Sequence, residues 1–210
     1  MSEYLFPNPN EFNPKSISNM SLYDALFDLY AEKSAIDLIH TALNNELADL
    51  SANTTSQQNV VHQEAAIRLI GYRSYNISVV ALYSIVEYSI DSYCNKFQQT
   101  HRIKILLSDI SGKGLQRTAV YMEKIMKLGT IRDDMKWSKI KVINTLRNDI
   151  VHRGGYQIPK ENLRLYKEQL NIENPLYPDQ ICITYENVCD IYDICKSYLR
   201  FVFSLEDKAP

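Results

Sequence analysis

Apolar side chains recur at three- and four-residue intervals through most of the sequence, the period of one face of an α-helix. Leu22, Leu26, Leu29, Ile36, Ile39 and Leu43 outline a first helix that starts near Asn19 or Ser21, either of which can cap it, and runs to about Leu50. The polar run Ser51-Ala52-Asn53-Thr54-Thr55-Ser56 competes for backbone hydrogen bonds and predicts a loop. A second helix spans roughly Gln58 to Gln99, with Val79, Leu82, Val86, Ile90, Tyr93 and Phe97 on its stripe. Gly71 inside it marks a bend or a close helix contact. Leu115 to Leu128, closed by Gly129, predicts a third helix, and Met135 to His152, closed by Gly154-Gly155, a fourth. A short helix near Pro159 to Leu170, a Pro-containing turn and a last helix from about Thr184 to Leu205 complete the pattern.

The expectation is an all-α fold, an up-and-down bundle of four to five main helices with short accessory helices. Pro7, Pro9 and Pro14 keep residues 1–18 out of regular helix, so an extended N-terminal arm precedes a single helical domain over 19–210. Composition agrees, since Gly 6 and Pro 7 in 210 residues leave little for strand-and-turn architecture. Cys94, Cys182, Cys189 and Cys195 lack Cys-x-x-Cys spacing and read as free thiols in a reducing compartment. Neither a leader peptide nor a run long and apolar enough to span a bilayer is visible, so a soluble, cytoplasmic protein without a membrane partner is expected.

Charge sharpens this picture. The formal net charge is -2, yet residues 101–153 carry 12 Lys and Arg against 5 Asp and Glu. A basic middle on an acidic frame fits either a phosphate footprint or a solvated face. Ser111-Gly112-Lys113-Gly114 lacks both the spacing and the preceding strand of a phosphate-binding P-loop.

The chemistry concentrates in Arg147-Asn148-Asp149-Ile150-Val151-His152 at the end of the fourth helix. On a wheel of about 100° per residue, Ile140, Ile143, Leu146, Ile150 and Val151 form an apolar stripe, and Arg147 falls inside it. An arginine there needs a partner, a cleft or a subunit interface. Beside it Lys141, Asn144, Asn148 and His152 form a polar stripe, with Asn148 and His152 one turn apart. Arg147 and His152 are about 140° apart on an ideal helix, so their convergence needs the long Arg side chain or a last turn loosened by Gly154-Gly155. These types suit cleavage of RNA by its own 2′-hydroxyl. Histidine exchanges protons near neutrality, and the Arg fork holds charge on the phosphorus oxygens. No metal or cofactor is required, and His40, His62, His101 and His152 show no ligand-like His-x-x-x-His or Glu-x-x-His spacing.

Arg147, the polar Asn148, three further residues and His152, late in a helical chain, resemble the signature of the HEPN superfamily. The resemblance covers this motif and the helix pattern. It implies a bundle of four or five helices, a homodimer whose paired motifs form one composite ribonuclease site, and products with 2′,3′-cyclic phosphate and 5′-hydroxyl ends. It also implies a role in a toxin–antitoxin or antiviral system, with an antitoxin or regulatory protein as partner. Carried over, Arg147 would grip the scissile phosphate, His152 would act as acid or base, and Asn148 would orient them. Some groups have a Tyr soon after the His, whereas Tyr156 comes later here. Lys141, Asn144 and Arg153 are further substrate-contact candidates, Tyr156 offers a base-stacking surface, and Glu87 a partner for Arg147. The rival reading is a HEPN-like module that binds RNA or a nucleotide, or serves assembly, without cutting.

Overall fold

The computed structural model describes residues 7–53, 57–174 and 177–206. The fold is all-α: six helices, with no strand among the described residues. They are α1 (Ile17–Asn53), α2 (Gln57–Thr100), α3 (Gly114–Lys124), α4 (Met135–Arg153), α5 (Lys160–Leu170) and α6 (Tyr185–Phe203). No helix among the described residues is long and apolar enough to cross a membrane.

Local chemistry accounts for most boundaries. Ser16 precedes α1, its Oγ accepting the Asn19 backbone N–H at 3.3 Å, so the helix starts slightly earlier than Asn19 or Ser21. The expected extended arm departs in its described part. Pro9–Glu11 form a 3-10 turn, and Phe12 packs edge-on against Tyr23 with centroids 5.2 Å apart. Residues 1–6 lie outside the described residues. The expected loop at 51–56 is also displaced, because α1 continues through Asn53, while 54–56 lie outside the described residues, as does Pro175 of the expected turn. At α6, Thr184 Oγ1 accepts from the Asn187 N–H and Asn187 Oδ1 accepts from the Thr184 N–H, a reciprocal cap.

One boundary shifts for a tertiary reason. α3 stops at Lys124, not Leu128, and Lys127 takes a left-handed conformation (φ 59°). The turn buries Met126, Leu128 and Ile131. Glu123 holds it there, Oε1 accepting the N–H groups of Ile131 (2.9 Å) and Arg132 (3.0 Å). Burial of three apolar side chains outweighs four more residues of helix.

The chain divides into two compact units. The first comprises Met1–Tyr30, Leu82–Lys141 and Asp193–Pro210. Its core includes Leu29, Leu82, Val86, Ile90, Tyr93, Met122, Ile140, Tyr198 and Phe203. The second comprises Ala31–Ala81 and Val142–Tyr192, with Ile36, Val79, Ile143, Leu146, Tyr166, Ile181 and Val188 inside. α1, α2, α4 and α6 each contribute residues to both.

Candidate functional site at the end of α4

The candidate motif lies in the second unit, in the last two turns of α4. Burial along α4 does not follow one stripe. Trp137 and Ile140 are buried in the first unit, and Val142, Ile143, Leu146 and Asp149 in the second. On the wheel Arg147, half-buried, flanks the set buried in the second unit instead of falling within it, and Val151 is 50% exposed. This corrects the expected apolar stripe: the charged residue inside the buried face is Asp149, 6% exposed.

Asp149 is a hub. Its Oδ2 accepts from Tyr166 Oη at 2.6 Å and from Asn162 Nδ2 at 2.9 Å, and Arg153 Nε lies 3.2 Å from Oδ1. These contacts tie the end of α4 to α5. Burial and the neighbouring carboxylate drive the Tyr166 hydroxyl far above its ordinary pKa, so it stays a donor. Sequence reading passed over Asp149; its signal was an acidic residue at the buried angle of the helix.

On the remaining face, Arg147 Nη1 donates to Asn148 Oδ1 at 3.0 Å, while Arg147 Nε is buried with no acceptor among the described residues. His152 is exposed in the last turn, and no hydrogen bond or ion pair joins it to another described residue. The expected loosening by Gly154-Gly155 is absent, because α4 remains helical through Arg153. Gly154 (φ 64°) and Gly155 (φ 83°) instead close it, their N–H groups donating to the carbonyls of Ile150 (2.9 Å) and Asp149 (3.3 Å). Arg147 and His152 stay about 140° apart, flanking an outward face formed by Asn144, Asn148 and Val151.

The other candidates are scattered. Lys141 is exposed and Asn144 half-buried. Arg153 is engaged with Asp149 and with the Gln157 carbonyl at 3.3 Å. Tyr156 is 44% exposed, its ring 6.5 Å from that of Tyr72. Glu87 does not serve Arg147: its carboxylate fills the place a Cβ on Gly114 would take, at the start of α3. That is a favourable seat for an anion.

A second polar cluster in the same unit escaped the sequence reading. Lys33, Asp37, His40 and Asn44 recur at i, i+4, i+7 and i+11 of α1, one helical face that was legible had polar residues been tracked as apolar ones were. Lys33 pairs with Asp37, which also accepts from Tyr185 Oη at 2.7 Å. His40 stacks on Tyr185 (centroids 3.8 Å apart) and hydrogen-bonds Tyr75 Oη (2.8 Å) and Asn44 (3.0 Å). The Tyr185 hydroxyl is pushed up to about 12 by its bond to Asp37 and by burial. His40, Asn44, Tyr72, Tyr75 and Glu186 line a cleft of about 320 Å³.

No group of three or more His, Cys, Asp or Glu among the described residues is arranged to hold a metal ion. The four cysteines are free, and burial pushes the thiols of Cys94 and Cys195 up to about 12. Comparison with protein-family models, curated proteins and solved structures gave no match.

Proposed function

We propose that this chain is a metal-independent endoribonuclease of HEPN type, acting as a homodimer within a toxin or antiviral defence system and restrained by a protein partner. The observation that carries the reading is Arg147: Asn148 holds one of its nitrogens at 3.0 Å while its buried Nε has no acceptor among the described residues. A buried donor without an acceptor costs about 1–3 kcal/mol, and more when it is charged; such local violations gather at functional sites. The Arg147 guanidinium would take the non-bridging oxygens of the scissile phosphate. In the reaction the ribose 2′-oxygen forms a bond to phosphorus as the P–O5′ bond breaks. One histidine takes the 2′-hydroxyl proton and another supplies a proton to the departing 5′-oxygen. A site composed of two motifs would offer His152 twice, one for each transfer.

A second reading is favoured because no group among the described residues orients His152: a module that holds RNA through Arg147 without cutting it. Incubation of pure protein with RNA in excess EDTA separates the two. The expected result is cleavage that survives chelation and leaves 2′,3′-cyclic phosphate ends. It should fall by at least 100-fold in His152→Ala and in Arg147→Ala, in line with the worth of a general acid–base group. Binding without cleavage by the wild type would select the second reading; loss of cleavage with EDTA would discard both in favour of metal-dependent hydrolysis.

A further inference from the structure

We infer that a basic groove in the first unit, between the first turns of α4 and the second half of α6, binds the phosphodiester backbone of single-stranded RNA. The inference rests on the proposed function for the nature of the polyanion. One cleft of about 470 Å³ is lined by Lys136, Lys196, Ser197, Arg200 and Ser204 among others. A second, of about 410 Å³, adds Met135 and Lys139 and shares Lys136, Asp193 and Ser197 with the first, so the two form one trough. All these residues belong to a single unit.

The charge balance in the trough is one-sided. Four cations, Lys136, Lys139, Lys196 and Arg200, face two carboxylates, Asp134 and Asp193. Asp134 is already committed: its Oδ1 accepts the Lys136 backbone N–H at 2.7 Å, capping α4, and lies 3.6 Å from Lys136 Nζ. Lys139 and Arg200 are exposed and make no ion pair with any described residue. Lys136 is steadied over the Phe201 ring, 5.1 Å from its centroid.

The spacing suits a strand. Lys136 and Lys139 are three residues apart on α4, and Lys196 and Arg200 four apart on α6, which places each pair about 5–6 Å apart on one helix face. That separation is comparable to the distance between successive phosphates of an extended strand. Ser197 and Ser204 add hydroxyl donors, the usual companions of Lys and Arg at phosphate oxygens. The basic tract noted in the sequence thus contributes Lys136 and Lys139 to a concave surface, and α6 completes it with two cations that lie outside that tract.

The test uses full-length His152→Ala protein, which should not cut, and a fluorescein-labelled single-stranded RNA of mixed sequence. Anisotropy titrations over a range of salt compare it with the same protein carrying Lys139→Glu and Arg200→Glu together, and with Lys160→Glu as an exposed control elsewhere. The double variant is expected to bind at least 10-fold more weakly and to lose about 1.4 from the slope of log affinity against log salt, two single-strand phosphate contacts. Lys160→Glu should change affinity less than 3-fold, a margin below the tenfold criterion. Circular dichroism melts establish that both variants fold. Equal affinity and slope in the double variant overturn the groove, as does equal weakening in Lys160→Glu. So does selective loss of binding to phosphatidylserine vesicles with RNA binding intact. Wild-type protein that fails to cleave yet binds through the trough would sink the ribonuclease reading and leave the groove standing. Cleavage by the wild type, together with unaltered binding in the double variant, would do the reverse.

Discussion

At the residue scale, the motif contains two charged side chains with different work. Arg147 holds a half-buried position with a donor to spare, whereas Asp149 spends all its capacity inside the protein, on Tyr166, Asn162 and Arg153. Asp149→Ala strands the Tyr166 hydroxyl and should lower stability by about 2–3 kcal/mol, read as a shift in the urea midpoint at unchanged slope. Arg153→Ala should cost less than about 1 kcal/mol, because its partner-facing side chain is 47% exposed. Equal losses would show that the ion pair, and not the buried hydrogen bonds, dominates the hub. Glu123 supplies a pH signature of another kind. Burial raises its carboxyl, but hydrogen bonds from the Arg132 side chain and from the N–H groups of Arg132 and Ile131 outweigh burial and hold it below 4.5. A depressed folded value gives stability that is complete above the unfolded pKa and lost as pH falls through the folded one. Glu123→Gln should therefore be less stable than wild type at neutral pH, with the gap closing below pH 4.5. A gap independent of pH would assign the effect to packing.

At the scale of elements, Gly155 fixes how α4 hands over to the segment that follows. It has φ 83°, its carbonyl accepts from the Ile181 N–H at 3.1 Å, and an added Cβ would lie 2.6 Å from Tyr72 Oη and 3.1 Å from Ile181 Cγ1. Gly155→Ala should cost about 2–4 kcal/mol, combining left-handed backbone with overpacking. Gly154→Ala meets only Tyr156 Cδ2 at 3.4 Å and should cost about 1–2 kcal/mol. Similar thermal shifts for the two would refute the steric part. The glycine pair also shows what the sequence made legible. All six helices, and Gly154-Gly155 as the end of α4, follow from periodicity and capping chemistry. The orientation of α4 did not. Trp137 and Ile140 belong to the core of one unit and Val142, Ile143 and Leu146 to that of the other, so one wheel drawn over the whole helix merges two separate sets of buried residues. That merging put Arg147 in the stripe and hid Asp149. The trough on α4 and α6 was half legible, since charge counting marks Lys136 and Lys139, but only tertiary structure brings Lys196 and Arg200 beside them.

At the scale of the whole molecule, the proposed chemistry asks for more than one chain presents. Arg147 and His152 flank the outward face of α4, about 140° apart, with no described group orienting the imidazole. A second copy placed against that face would supply the missing orientation and bring two histidines to one phosphate. Val151 lies on it, apolar and 50% exposed, between the residues the reaction needs. Cleavage should then depend on assembly. Specific activity is expected to fall on dilution, in step with a dimer-to-monomer transition seen by analytical ultracentrifugation. Val151→Glu, which should leave the thermal melt of the monomer within a few degrees because surface changes cost little, is expected to move both transitions together to at least 10-fold higher protein concentration. Activity that stays proportional to concentration while the protein sediments as a monomer would mean that one chain suffices, and that the face around Val151 serves some contact other than a shared active site.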